Sequence, residues 1–277
     1  MDIRIASPSL LEGEDGIFRS AREGSVSYAE DGHALCFGVE DSSFWFRHRN
    51  DCIAALVNNY PPPSGGPILD LGGGNGYVAQ RLIAEGHDVV LLEPGNAGAS
   101  NARVHRRLPQ VVCATLEDAG FRERSFAAIG MFDVIEHIEA DRAFLDVVRS
   151  LLVPGGRLYL TVPCHAWLWS RADIDAGHFR RHTLASLSTL LAGAFRVDYA
   201  SYLFAPLVAP QFLLRALPHR LGLDRKHAVL STEAEHGGGN GLAVRLLERL
   251  LVRETRRIAD RRRIAFGASA LLAATVC

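Results

Sequence analysis

Three groups of residues have the types and spacing to do chemistry. The first is the stretch Ile-Leu-Asp-Leu-Gly-Gly-Gly-Asn-Gly-Tyr-Val-Ala-Gln, from Ile68 to Gln80. An apolar strand over 67–71 enters four glycines and leaves into a helix over 77–84. Glycine has no Cβ, so such a turn adopts positive φ and lays bare backbone against a ligand. The helix behind it aims its free N–H groups at the same point. A second apolar run, 89–92, ends in Glu93. An acid at the tip of the second strand, about 20 residues beyond a glycine turn, is placed to grip ribose hydroxyls. The second group is Asp133, Glu136 and His137, spaced i, i+3, i+4. If Asp133 begins a helical turn, the three share one face. The third is the polar loop 173–183, with His178, Arg180, Arg181 and His182, preceded by His165, Trp167 and Trp169.

Spacing within the glycine turn decides which ribose ligand is expected. A dinucleotide turn reads G-x-G-x-x-G. Here Tyr77 occupies the third glycine position, where its bulk opposes close helix–strand packing. The glycines read G-x-G-x-G instead, at Gly72, Gly74 and Gly76, preceded by Asp70. This pattern resembles the first motif of the class I S-adenosylmethionine (SAM) methyltransferases. The resemblance extends to Phe132-Asp133-Val134-Ile135-Glu136-His137-Ile138, Val153-Pro154-Gly155-Gly156-Arg157-Leu158 and Thr161-Val162-Pro163. Together these motifs cover about residues 67 to 204.

The resemblance implies roles for individual positions. Asp70, Gly72, Gly74, Asn75 and Gly76 lie along the methionine part of the cofactor. Glu93 holds the ribose, and Pro94, Thr115 and Leu116 surround the adenine. Phe132 and Asp133 end the fourth strand beside the methyl donor. The implied cofactor is SAM, with S-adenosylhomocysteine as product. Methyl transfer from a sulfonium needs alignment more than proton chemistry, although a hydroxyl acceptor benefits from a base. His137 is the first candidate for that base, and His178 follows. Trp45, His165, Trp169, Arg180 and Arg181 are the candidate acceptor contacts, the arginines because their planar forks suit an acidic or phosphorylated group. No metal is expected. The alternative is a hard or borderline divalent ion at Asp133, Glu136 and His137, as some ubiquinone-pathway and RNA-end methyltransferases look similar there.

Positioning these groups requires a parallel sheet with ligands beyond its carboxyl edge. From residue 67 short apolar strands alternate with helices, the pattern of a doubly wound α/β sheet. Strands are expected at 67–71, 89–93, 109–113, 126–132, 157–162 and 195–204, with helices at 141–152 and 183–194. The family resemblance adds a seventh, antiparallel strand within 264–276, giving a seven-stranded Rossmann-like sheet. Residues 1–60 read as an N-terminal arm, with strand-like pieces such as Ala34 to Val39, and a cap helix over Ser43 to Asn59. Residues 61–204 form the SAM-binding core and 264–277 its final strand. Between them, 205–263 is a helical insertion: an apolar run 206–217, a Gly237–Gly241 break and an amphipathic helix from Leu242 to about Arg261. Its exposed stripes suit a lid, a homodimer face or a membrane-surface patch.

Composition excludes several classes. With 277 residues, 48 % hydrophobic and 22 % charged, the chain is long enough for a large core. A formal net charge of −1 leaves no global field to recruit nucleic acid. The five cysteines are scattered without a C-x-x-C pair, so neither a disulfide framework nor a zinc site is expected. No apolar run reaches the ~18 residues of a membrane span, and the polar N-terminus is no signal peptide. A cytoplasmic enzyme methylating an oxygen or nitrogen of a small molecule is the expectation. The rivals are a protein or RNA methyltransferase, a SAM-binding protein without methyl transfer, and a dehydrogenase, the last disfavoured by Tyr77.

Overall fold

The computed structural model describes residues 2–21, 37–223 and 242–277. The Gly237–Gly241 break and half of the strand expected at Ala34–Val39 lie outside these residues. The remainder of that strand, from residue 37, is helical through residue 40.

One mixed sheet organises the chain. Its strands are β1 (Leu11–Glu12), β2 (Phe18–Arg19), β3 (Ile68–Leu71), β4 (Val89–Leu92), β5 (Val111–Cys113), β6 (Phe126–Phe132), β7 (Leu152–Pro163), β8 (Phe195–Leu203) and β9 (Ser269–Val276). They are ordered β1-β2-β5-β4-β3-β6-β7-β9-β8. Among the described residues the expected count of seven therefore becomes nine. The arm adds a two-stranded ribbon, and β2 pairs in parallel with β5, covering an edge that the sequence left open. β9 runs antiparallel to both β7 and β8.

Burial explains why these segments are strands. Every residue of β3, β4 and β6 is buried, as befits a sheet covered on both faces. Two apolar clusters result, one on each face, holding Leu69, Val90, Ile129 and Leu160 on one side and Ile68, Leu91, Ala128 and Tyr159 on the other. The helix Phe44–Asn59 is capped by the Ser43 side chain and buries Cys52, Ile53, Leu56 and Val57 against the second face. Helix Leu242–Ala259 packs beside it, with Leu251 and Ile258 in the same cluster. Among the described residues, Cys52, Cys113, Cys164 and Cys277 are free thiols, and no helix is long and apolar enough to cross a membrane.

Candidate active site

The carboxyl edges of β3, β4, β6 and β7 open into one cavity of about 1160 Å³. The parallel register of β3 on β4 sets Asp70 opposite Leu91 and brings the glycine turn beside Glu93. Gly72, Gly74 and Gly76 all take positive φ, at 67°, 55° and 79°. A Cβ on Gly73 would collide with Leu91 and Asp70, so this backbone cannot carry side chains. Gly72, Gly74 and Asn75 line the cavity. Gly76 does not. It caps helix Tyr77–Ala84 and packs against Leu108 and Ala102, so its requirement is close packing rather than ligand contact.

Two buried acids flank this turn. Glu93 accepts hydrogen bonds from the amides of Gly74 (2.8 Å) and Gly95 (2.6 Å). Burial pushes its pKa up to about 7, against the pull of those amides. Asp70 is 1 % exposed, and neither of its oxygens holds a well-formed hydrogen bond, the Ala79 backbone offering only a weak one. Burial raises it to about 7 as well, Arg49 opposing and Glu93 reinforcing the rise. A buried, unpartnered acid facing a bare-backbone cradle is the environment that a cationic nucleoside ligand would complete. Pro94, Thr115 and Leu116 line the same end, where Thr115 caps helix Leu116–Ala119 through the Asp118 amide.

The other end of the cavity is made by long side chains. Asp133 has φ 59°, so no helical turn begins there, and the shared face expected for Asp133, Glu136 and His137 does not form. Its carboxylate pairs with Arg49 Nε (2.6 Å) and accepts from Thr161 Oγ1 (3.1 Å). Arg49 also donates to the Phe132 carbonyl (2.7 Å). Glu136, His137 and His178 meet instead, with ligand-type atoms within 4.8 Å of one another. Glu136 is fully buried with both oxygens lacking a hydrogen-bond partner. Burial, then Asp133, raises its pKa well above the usual carboxylate range. Burial, then the neighbouring His178, lowers His137 to about 4. The two imidazoles lie edge to face at 4.7 Å. His178 Nδ1 sits 3.0 Å from Asp173, which also takes two bonds from Arg181 (2.7 and 2.9 Å). Burial alone would raise Asp173, but those bonds from His178 and Arg181 outweigh it and hold the acid below its usual range. Two carboxylate oxygens without partners beside two imidazoles fit a divalent cation, and a carboxylate behind the outer histidine is the support such ligands use.

Trp45 and Arg181 line the cavity, whereas His165, Trp169 and Arg180 do not. His165 is stacked between Trp167 and Tyr202 and tilted against Phe266. Arg180 is held by Asp141 and by the carbonyls of Ile138 and Glu139. Arg181 reaches the cavity with its fork already bound to Asp173, so the expected pair of free cations for an acidic acceptor is not assembled. Sequence reasoning missed Glu40, Gln211, Leu214, Arg215 and Ser269, which all line the wall. Gln211 and Arg215 did carry a signal: polar residues four apart in an apolar helical run mark a face that is not core. Glu40 carried none, since tertiary folding alone brings it to Asn75 (3.0 Å) and Arg106 (3.0 Å).

Residues 45–194, more than half of the chain, match the family described as "Methyltransferase domain". The human mitochondrial ubiquinone biosynthesis O-methyltransferase is 28 % identical over 123 residues, covering 41 % of this chain but only 33 % of that protein. An uncharacterized methyltransferase of Mycobacterium bovis is 28 % identical over 207 residues, 66 % of this chain and 81 % of the relative. Phosphoethanolamine N-methyltransferase 2 of Haemonchus contortus, solved with phosphomonomethylethanolamine and S-adenosylhomocysteine, superposes with a TM-score of 0.53 at 19 % identity, over 90 % of this chain and 58 % of that one. At that identity the superposition speaks to fold alone. The chain belongs to the class I SAM-dependent methyltransferase family.

Proposed function

We propose that the chain transfers a methyl group from SAM to an oxygen of a small-molecule acceptor, with nitrogen the second choice. The observation that carries this is the single cavity, which joins the Asp70–Glu93 cradle to the Glu136, His137 and His178 group. Bound SAM supplies an electrophilic methyl on a sulfonium. The glycine turn, Asp70, Asn75 and Glu93 bind and orient it, while Pro94, Thr115 and Leu116 enclose the base. Phe132, Trp45 and Leu247 keep water from the transfer path. The neutral His137 and the Asp173-braced His178 receive or orient the acceptor's proton. The O-methyltransferase names among the relatives support oxygen over nitrogen. In this reading residues 61–204 hold the cofactor and 205–263 cover the acceptor.

A second reading adds a divalent cation held by Glu136, His137 and His178, favoured by the partnerless buried Glu136 oxygens. Such an ion would supply Lewis-acid lowering of the acceptor hydroxyl's pKa. The test is S-adenosylhomocysteine release from SAM with a panel of phenol, catechol and amine acceptors, run with and without EDTA. Product with hydroxyl acceptors supports the first reading. Loss of that product in EDTA, restored by added Mg²⁺ or Zn²⁺, supports the second. Product only with a protein or RNA pool would overturn the small-molecule assignment.

A further inference from the structure

The wall of the cavity continues outward into exposed apolar side chains. Leu213 is 57 % exposed, Leu214 73 %, Leu221 63 % and Leu223 64 %. One exposed leucine is ordinary, but a cluster of four within a short segment bordering a cavity marks an interaction surface. The segment is the helical run over 205–220, interrupted by a π turn at Phe212–Ala216, and the turn that follows it. Leu214 belongs to the cavity wall itself, with Pro210, Gln211 and Arg215. Ile174 is exposed on the neighbouring helix Arg171–Asp175, and Leu246 is exposed beside the wall residue Leu247. An apolar molecule could therefore pass from this surface into the cavity along an apolar wall.

Charge says what covers the surface. Residues 205–223 include Arg215 and Arg220 and no Asp or Glu. On helix Leu242–Ala259, Arg249, Arg253 and Arg256 are exposed alongside Leu246 and Val252. The two acids of that helix are occupied, Glu248 by Arg47 and Glu254 by His48 and the amides of Phe204 and Ala205. Exposed leucines beside Arg249, Arg253 and Arg256, with the exposed Asp175 next to Ile174 already paired to Arg171, complement an anionic lipid surface. A twofold contact with a second copy would oppose like charges. We propose that this face docks in the plane of an anionic membrane, and that the acceptor is a lipid-soluble molecule taken up from it. The second half of this proposal rests on the methyl-transfer reading; the first does not.

The test is flotation of the full chain with vesicles of phosphatidylcholine alone and of phosphatidylcholine mixed equally with phosphatidylglycerol. Binding to the mixed vesicles, weakened by salt, is the expected result. Leu213 and Leu221 are exposed and do not line the cavity, so Leu213→Ser/Leu221→Ser should keep the native melt and the turnover of a water-soluble acceptor. It should weaken vesicle binding at least about tenfold. No flotation with either vesicle, or flotation unchanged by the double substitution, overturns the proposal. So does a dimer in sedimentation velocity that the same substitutions dissolve, because a second copy would then own the face. Calorimetry with SAM on the same samples separates the two readings. In the unsubstituted chain, no vesicle binding with SAM binding intact ends only the docking proposal, and vesicle binding without SAM binding ends only the transfer reading.

Discussion

The two ends of the cavity are built from different material. At the tips of β3 and β4 the contacts are local, and backbone makes most of them. Glu93 bonds amides two and 19 residues away, and every positive φ in the turn sits on glycine. At the tips of β6 and β8 the contacts come from side chains distant in sequence. Arg49 reaches Phe132 across 83 residues, and His48 reaches Glu254 across 206. Asp133 and Phe204 take positive φ there without being glycine, at 59° and 61°. Each such residue costs about 1–2 kcal/mol and persists only where its surroundings over-determine it. Asp133 is pinned by Arg49 and Thr161. Phe204 is pinned by the Glu254 carboxylate on its amide (2.8 Å) and by Trp45 stacked on its ring at 5.2 Å. The glycine-turn end, proposed to hold the cofactor, is thus preset by short-range sequence, while the opposite end, proposed to hold the acceptor, is braced by helices Phe44–Asn59 and Leu242–Ala259.

The largest test of this contrast is Glu254→Ala. It strands two backbone amides and the buried His48, and should cost about 3–5 kcal/mol of unfolding free energy in a denaturant titration. An unchanged midpoint would mean that the acceptor end is not cross-braced. Next comes Glu93→Ala, which strands the Gly74 and Gly95 amides and should cost about 1–3 kcal/mol of unfolding free energy, and should weaken SAM binding about 100-fold by calorimetry, the worth of a buried charged hydrogen bond at about 3 kcal/mol. Equal affinity in mutant and wild type would remove the cofactor assignment.

A smaller effect follows from pH. Asp70 and Glu93 are raised to about 7 in the fold, whereas unfolded carboxyls titrate near about 4. Between those values the folded chain keeps protons that the unfolded chain has lost, so stability is greatest at the acid side and falls as pH rises through about 7. The ligand-free melting temperature should drop over that window by an amount worth about 1 kcal/mol or more. SAM, a cation at sulfur, should bind more tightly as the same acids ionise. In Glu93→Gln part of both trends should vanish. A Glu93→Gln profile with the same slope as the wild type would show that Glu93 does not change ionisation on folding, whatever the opposing contribution of the depressed His137.

Much of the fold was legible because its strands are fully buried apolar runs ending in punctuating glycines or acids. The seventh strand was placed by family resemblance, since the Ala-rich Ser269–Val276 has no period of its own. The ribbon Leu11–Glu12 and Phe18–Arg19 was illegible: two-residue strands carry no periodicity, and only pairing with β5 creates them. In the site, the placing of Glu93 beside the glycine turn could be read, because strand register and a local turn set it. The metal-like group was half read. Glu136 and His137 were in view, but a backbone turn at Asp133 replaced the expected third member with His178. Arg180 and Arg181 were similar in sequence and differ in place, because Asp141 draws one outward and Asp173 draws the other in.

Chain order and residue type alone determined the glycine-turn half of the cavity, proposed to hold the cofactor. A strand, a turn without side chains and a following acid form a complete device within some 25 residues, and local geometry suffices to assemble it. The half around Asp133, Glu136 and His178, proposed to receive the acceptor, was decided by tertiary structure, because its side chains owe their positions to partners dozens to hundreds of residues away. Whether a histidine faces the cavity or an aromatic stack, or an arginine a ligand or an acid, depends on packing that no short-range spacing encodes.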